Sequence, residues 1–161
     1  MTLSRLAVLS AALLAVAAPA LAAGTSTSTL AIKAEVADSC EMQGGSLDFG
    51  TYQSGQATDL LIQGTINYAN CTAQTVSIEM DGGSSGKESD RTLVNASGGA
   101  LRYQVYRNFD RTYPWGTGDT ALNNRKITAT NGSLVVYGKI PGGQRIAGGT
   151  YSDVVNVTLR F

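Results

Sequence analysis

The chain has 161 residues, with 12 basic side chains, 12 acidic side chains and no histidine. The lack of histidine excludes a His-based catalytic triad and a His-ligated metal site. The balanced charge leaves no strong basic patch for nucleic acid. Since 43% of the residues are hydrophobic, the chain can bury a core, and its length suits one domain.

The N-terminal 22 residues have the pattern of a secretory signal peptide. Arg5 precedes an apolar run over residues 6–18, and residues 20–22 read Ala-Leu-Ala, an A-x-A cleavage site. The run is short for a membrane span of about 20 residues, so we expect export and cleavage after Ala22 rather than a membrane anchor. The mature chain would start at Ala23 with a net charge of −1 and no transmembrane segment.

The mature chain has two cysteines, Cys40 and Cys71. In an exported protein an isolated pair is most simply a disulfide, which would stabilise the fold by about 3–4 kcal/mol on the chain-entropy model. A redox-active pair is the alternative, but such pairs usually have C-x-x-C spacing. We therefore expect a structural disulfide.

Short runs of alternating apolar and polar residues, separated by Gly, Asn and Ser, are typical of β-strands. Seven strands are predicted, at residues 30–36, 47–52, 59–68, 75–80, 100–107, 133–140 and 151–161. We expect a kink at Gly64 in the third strand and long loops at 81–99 and 108–131. This pattern predicts an all-β sandwich of the immunoglobulin kind.

Apolar and polar residues alternate at both ends of the mature chain, and this pattern predicts strand exchange between copies. One face of the last strand is apolar through Val155, Val157, Leu159 and Phe161. A core strand at the end of a domain has no following segment to cover its far edge, and such edges invite another chain. Near the mature N terminus the apolar positions are Leu30, Ile32, Ala34 and Val36. Head-to-tail pairing of these two ends would give a fibre.

An ordered set of short motifs spans almost all of the mature chain. In the first half the motifs are Cys40, Leu47-x-Phe49-Gly50-x-Tyr52, Cys71-Thr72 and Asp81-Gly82-Gly83. In the second half they are Asp90-Arg91-Thr92-Leu93, Leu101-x-Tyr103-x-Val105-Tyr106-Arg107, Trp115-Gly116, Val136-Tyr137-Gly138-Lys139-Ile140-Pro141 and Gly148-x-x-Tyr151-x-Asp153-x-Val155-x-Val157-x-Leu159-x-Phe161. With these motifs, the chain resembles the spore coat protein U family, which includes the Csu-type subunits of archaic chaperone–usher pili.

The resemblance implies an incomplete immunoglobulin-like sandwich that lacks its last strand and is completed by donor-strand exchange. It implies that a periplasmic chaperone lends a strand, and that an outer-membrane usher replaces this strand with the N-terminal strand of a neighbouring pilus subunit. The product would be an adhesive fibre on a Gram-negative cell, used in attachment and biofilm formation. A smaller set of relatives is associated with spore coats.

Carried over to this chain, the resemblance places a donor segment in residues 23–36 and the pilin domain in residues 37–161. The donor side chains would be Leu30, Ile32, Ala34 and Val36. Their burial would contribute about 5–8 kcal/mol of gross hydrophobic free energy. The acceptor groove would be bordered by Val155, Val157, Leu159 and Phe161. If residues 30–36 are instead the first strand of the domain itself, the chain would lie at a fibre tip or would not polymerise. We favour a shaft or minor subunit, since tip adhesins of this family usually carry a second domain.

Four acidic residues near Gly/Ser-rich loops, Asp81, Glu88, Asp90 and Asp110, could suggest a carboxylate pair for glycoside cleavage. Turn formation is the simpler interpretation. We therefore expect a structural protein rather than an enzyme, with no cofactor and no metal.

Two further alternatives concern loop residues. Trp115 could bind a sugar, as in a monomeric carbohydrate-binding module, but a role in closing one end of the sandwich is favoured. Arg91 and Arg107 could bind an anion, but surface ion pairs with Asp90 and Asp110 are expected. A spore-coat or cell-coat protein is the other alternative function.

Overall fold

The computed structural model describes residues 24–161 and shows an all-β protein. The strands in this range are β1 (Glu41–Ser46), β2 (Leu60–Ala69), β3 (Thr75–Met80), β4 (Arg91–Val94), β5 (Ala100–Tyr106), β6 (Leu122–Lys126), β7 (Gly132–Ile140) and β8 (Val157–Arg160). Two single-turn 3₁₀ helices, Gly83–Ser85 and Gly118–Thr120, lie in the loops. The predicted signal peptide lies outside the described residues.

The strands form two antiparallel sheets. The five-stranded sheet has the order β1-β2-β7-β5-β4, and the three-stranded sheet has the order β6-β3-β8. The longest ladder joins β2 to β7, from Leu60↔Ile140 to Tyr68↔Gly132, without a register shift. The kink predicted at Gly64 is therefore not found in this ladder. Gly64 is needed for a different reason, since a Cβ there would overlap with the carbonyl oxygen of Ser46.

The core lies between the inner faces of the two sheets. Its buried members from the five-stranded sheet include Ile66, Tyr68, Leu101, Tyr103, Val105, Leu134, Val136 and Ile140. Those from the three-stranded sheet are Val76, Ile78 and Met80. Each large side chain contributes about 1.5–3 kcal/mol on burial. The apolar side chains that alternate along β3, β5 and β7, as predicted, therefore hold the two sheets together.

Two of the residues in predicted loops that were considered as binding residues are buried. Trp115 is 1% exposed, and its Nε1 donates a hydrogen bond of 2.8 Å to the carbonyl oxygen of Ile78. This confirms that it closes the sandwich, and a buried ring cannot stack on a sugar. Arg91 is fully buried, so the predicted surface ion pair with Asp90 is wrong.

Two predicted strands are not part of the sheets formed by residues 24–161. Residues 30–36 and 47–52 are in no strand. The alternating pattern of residues 47–52 does place apolar side chains inwards, because Leu47 and Phe49 pack against the core. However, the pairing of β1 with β2 ends at Ser46↔Thr65, so the backbone that follows has no ladder partner. The domain's own first strand is β1, which was not predicted.

The two predicted long loops each contain a strand, β4 in the first and β6 in the second. The predicted last strand is shorter than expected, since β8 begins only at Val157. Before it, Ser152 forms an isolated bridge with Val94 of β4. The chain therefore leaves the five-stranded sheet after Ser152 and joins the three-stranded sheet at Val157.

Candidate functional site

An apolar groove lies between the edges of the two sheets. β1 is the last strand of the five-stranded sheet, and β8 is the last strand of the three-stranded sheet. Within residues 36–161, neither strand has a neighbour on its outer side. The groove therefore lies where one further strand would complete the sandwich.

The groove has two connected parts, of about 590 Å³ and about 660 Å³. The floor of the first part is formed by core residues of both sheets, Ile66, Met80, Tyr103, Val105 and Val136. The second part extends over Leu101 and Ile140 towards Ile146 and Tyr151. The two parts share Ser46, Leu47, Phe49, Leu93 and Asp153. Except for Ser46 and Asp153, these shared residues are apolar, so the first part of the groove and its junction with the second suit an apolar face of an extended segment.

β1 forms one rim of the groove, and its sequence explains its position. Its residues read Glu-Met-Gln-Gly-Gly-Ser. A Cβ at Gly45 would overlap with the carbonyl oxygen of Thr65, so only glycine allows this close approach to β2. The pairing with β2 shifts register between Met42 and Gly44. A bulge of this kind bends an edge strand.

The predicted disulfide fixes the start of this rim. Cys40 is bonded to Cys71, one residue before β1 and two residues after β2. The backbone of Ser39 accepts a hydrogen bond of 2.8 Å from the amide of Thr72, next to the disulfide. The structure thus confirms the Cys40–Cys71 pairing, and its position holds β1 against β2 where the groove begins.

The opposite rim is formed by residues 153–156, which we term the lip, and by β8. The predicted groove residues Val155 and Val157 line the groove. Leu159 is half-buried beside Ile78, its partner in the β3 ladder. Phe161 lies beyond the end of β8 and is 60% exposed. The border role predicted for these four residues stays a prediction, because no strand of residues 24–161 lies in the groove.

Two carboxylates connect the lip to the turn after β3. Asp153 Oδ1 accepts hydrogen bonds from the amide and the hydroxyl of Ser84, at 2.7 and 2.6 Å, and its Oδ2 accepts one from Tyr103 at 2.7 Å. Asp81 Oδ1 accepts from the amide of Asn156 at 3.0 Å, and its Oδ2 accepts from the Asn156 side chain at 2.6 Å. Sequence reasoning placed Asp81 in a turn but did not connect it with the lip.

These hydrogen bonds favour the ionised carboxylates. Partial burial opposes ionisation of Asp153, but the hydrogen bonds from Ser84 and Tyr103 outweigh it and hold its pKa below the ordinary value. The same balance, with Asn156 as the main donor, lowers the pKa of Asp81. The Tyr103 hydroxyl has a strongly raised pKa because it is buried and donates to Asp153. It therefore stays a donor.

The predicted donor side chains lie in an unpaired part of the chain. Residues 24–39 are in no strand, and Leu30, Ile32 and Val36 are 85%, 87% and 94% exposed. Such exposure is unusual for three large apolar side chains so close together. Their use as a donor strand stays a prediction, as does the boundary after residue 36.

The other candidate sites have structural explanations. Glu88 accepts hydrogen bonds from the amide of Thr117 at 2.9 Å and from the hydroxyl of Thr120 at 3.1 Å, which fixes two loops. Arg107 lies over the ring of Tyr113 instead of pairing with Asp110. Within residues 24–161, no three His, Cys, Asp or Glu side chains are grouped as metal ligands.

The family model of the Spore Coat Protein U domain matches residues 26–158 of the chain. The chain belongs to the spore coat protein U domain family. Among curated relatives of this family, Protein U of Myxococcus xanthus is 33% identical over 96% of this chain and 95% of its own length. The family resemblance drawn from the motifs is therefore confirmed.

Solved structures show the same fold. One is the CsuC–CsuE chaperone–tip adhesion subunit pre-assembly complex of the archaic chaperone–usher Csu pili of Acinetobacter baumannii, with a TM-score of 0.58 and 21% identity. The match covers 78% of this spore coat protein U domain chain and 40% of that chain. A chaperone–usher pilus studied for rod uncoiling gives a TM-score of 0.50 and 18% identity, over 89% of this chain and 99% of that one. The fold is thus an incomplete immunoglobulin-like sandwich, as predicted.

No helix among the described residues is long and apolar enough to cross a membrane.

Proposed function

We propose that the chain is a structural subunit of an extracellular fibre assembled by donor-strand complementation. The observation that carries this proposal is a pair of complementary features in one chain. An apolar groove lies between two open sheet edges, and an exposed alternating segment lies at residues 30–36. The segment of one copy would complete the sandwich of the next copy.

The segment suits the groove in shape and in chemistry. In an extended segment, Leu30, Ile32, Ala34 and Val36 would face one side and Lys33 and Glu35 the other. The apolar side would face the core residues on the groove floor, and the charged side would remain in water. Backbone hydrogen bonds to β1 and β8 would set the register.

The partners that we propose are those that the family resemblance implies. Before assembly the groove would expose core side chains to water, so a periplasmic chaperone is expected to supply a temporary strand. An outer-membrane usher would then exchange that strand for the segment of the next subunit. The completed fibre would lie on the cell surface, where we propose that it acts in attachment and biofilm formation.

A coat protein is the second candidate. The relationship to Protein U over nearly the whole chain favours it. Strand exchange would serve a coat as well as a pilus, because either assembly needs only that copies join end to end. The presence of the chaperone and usher genes next to this one would favour the pilus.

The test is periplasmic expression of the full chain with its cognate chaperone, followed by a denaturing gel run without boiling. We expect a heat-sensitive ladder from the wild type. Ile32→Asp should abolish it, because a carboxylate would replace about 1.5–3 kcal/mol of apolar burial.

The matched control is Lys33→Asp, which introduces the same side chain one residue later on the opposite side of the segment. Its ladder should match that of the wild type. A ladder that survives Ile32→Asp, or a wild type that stays a stable monomer without chaperone, would show that the proposal is wrong.

A further inference from the structure

The lip is the part of the groove rim that lacks a ladder. Ser152, before it, exchanges two backbone hydrogen bonds with Val94, at 2.9 and 3.0 Å. Val157, after it, pairs with Met80 of β3. Between these anchors the four residues of the lip cross from one sheet to the other, with no strand assigned to them.

The hydrogen bonds that fix the lip all involve Asp81 or Asp153. Asp81 binds Asn156 through both carboxylate oxygens, and its own amide donates to the Asn156 carbonyl at 3.1 Å. Asp153 binds Ser84 and Tyr103, and it also accepts from the amide of Val154 at 2.8 Å. The lip is therefore held at both ends by charge-assisted hydrogen bonds, which are about twice as strong as neutral ones.

The turn that receives the lip is shaped for this contact. Gly83 has a φ of 58°, in the left-handed region, and a Cβ there would overlap with the Asp153 carboxylate. Gly83 also donates its amide to Asp81 at 2.9 Å. The glycine thus allows the two carboxylates to meet one turn from opposite sides.

We propose that Asp81 and Asp153 are positioning residues that hold the lip at the distance from β1 at which a donor strand pairs with both rims. This inference rests on the proposed function. Two motifs that are distant in sequence, Asp81-Gly82-Gly83 and the one that contains Asp153, meet at this point. Without the carboxylates the lip would keep only the backbone hydrogen bond from the Asp81 amide to the Asn156 carbonyl between Ser152 and Val157, and the groove would not keep a fixed width.

The first test measures amide hydrogen exchange in the full chain. Asp81→Ala should accelerate exchange of the Asn156 amide by about tenfold or more, because it removes the hydrogen bond that this amide donates to the carboxylate. The Val154 amide, which donates to Asp153, should also exchange faster but to a smaller extent, through the loosened lip. Exchange in β2 and β7 should stay unchanged. Asp81→Asn, which keeps one acceptor oxygen, should lie between Asp81→Ala and the wild type.

Two further variants separate positioning from general damage. Gly83→Ala keeps both carboxylates but displaces the turn, so it should accelerate the same lip amides. Asp90→Ala is the matched control, since Asp90 is an exposed carboxylate of the same loop, and it should leave lip exchange unchanged. Unchanged lip exchange in both Asp81→Ala and Gly83→Ala would overturn the inference.

The second test measures strand capture. The full chain, held by its chaperone, is mixed with a labelled peptide of residues 25–38, and uptake is followed over time. Asp81→Ala should slow uptake about tenfold relative to Asp90→Ala. Faster lip exchange with unchanged uptake would show that the lip does not position the donor. If the wild type takes up no peptide, the proposed function itself is wrong, whatever the exchange data show.

Discussion

A single side chain, Arg91, connects the two sheets at the end of β3. Its Nε donates to the carbonyl oxygen of Asp81 at 2.8 Å. Its Nη2 donates to the carbonyl oxygens of Met80 and Trp115, at 3.0 and 2.8 Å. Two of these carbonyls lie at or just after the end of β3, and that of Trp115 lies in the loop before β6, so Arg91 supplies a donor for each of them. The neighbouring Asp90 suggested a surface pair, because sequence does not show which carbonyls the fold leaves without a donor.

Replacing Arg91 should therefore be strongly destabilising. Arg91→Ala removes the side-chain donor from three carbonyls, those of Met80 and Trp115 being buried, and opens a cavity, so we expect a loss of about 3–5 kcal/mol. Urea unfolding of the full chain measures this. Arg102→Ala removes an exposed arginine from β5 and should change the free energy of unfolding by less than about 0.5 kcal/mol. Equal effects of the two variants would contradict the role of Arg91.

The pKa of Asp153 predicts a pH dependence. Burial opposes its ionisation, but its hydrogen bonds lower the pKa below the ordinary value, which is about 4 in an unfolded chain. The stabilisation is therefore complete above about pH 4 and is lost as pH falls through the lowered folded value. The difference in unfolding free energy between wild type and Asp153→Ala should narrow from pH 6 to pH 2. A constant difference would mean that the charge of Asp153 does not stabilise the fold.

At the scale of elements, strands whose apolar and polar residues alternate regularly could be predicted. Strands that lack this pattern, and that form only because a neighbouring strand pairs with them, could not. β3, β5 and β7 lie within one or two residues of the prediction, because their apolar residues recur at every second position. β6 reads Leu-Asn-Asn-Arg-Lys and becomes a strand only through its ladder with β3. β1 depends in the same way on β2. Sequence thus predicted Val155 and Val157 on one groove rim and missed the β1 rim.

The disulfide is the element-scale feature with the largest expected effect. It joins residues 31 positions apart, so replacing Cys40 and Cys71 together by Ser should lower the free energy of unfolding by about 3–4 kcal/mol. Amide exchange should rise most in β1, the strand it holds. Urea unfolding and exchange check both effects. The wild type in reductant should behave like the double variant, and a loss below about 1 kcal/mol would contradict the expectation.

For the whole molecule, the question is why one pair of edges would accept a strand. The β4 edge is already bridged by Ser152. The β6 edge carries Arg125 and Lys126 and is distorted at Asn124, whose φ is 54°. Adjacent positive charges on an edge resist strand addition. Among the described sheets, this leaves β1 and β8 as the open edges, and they lie on either side of the apolar groove. Under the proposed function, growth would be head to tail, because donor and acceptor would be different parts of the chain.

This polarity predicts that a chain carrying its own donor needs no partner. β8 ends at Arg160, so a copy of residues 25–38 joined after Phe161 by a linker of about four residues can turn back antiparallel along β8. We expect a monomer that folds without chaperone, forms no ladder and unfolds at a higher urea concentration than the wild type. Size-exclusion chromatography and urea unfolding check this. The same fusion with Ile32→Asp in the appended copy alone should lose the added stability, because a carboxylate would then face the groove floor. If both fusions unfold at the same urea concentration as the wild type, the segment does not complete the sandwich.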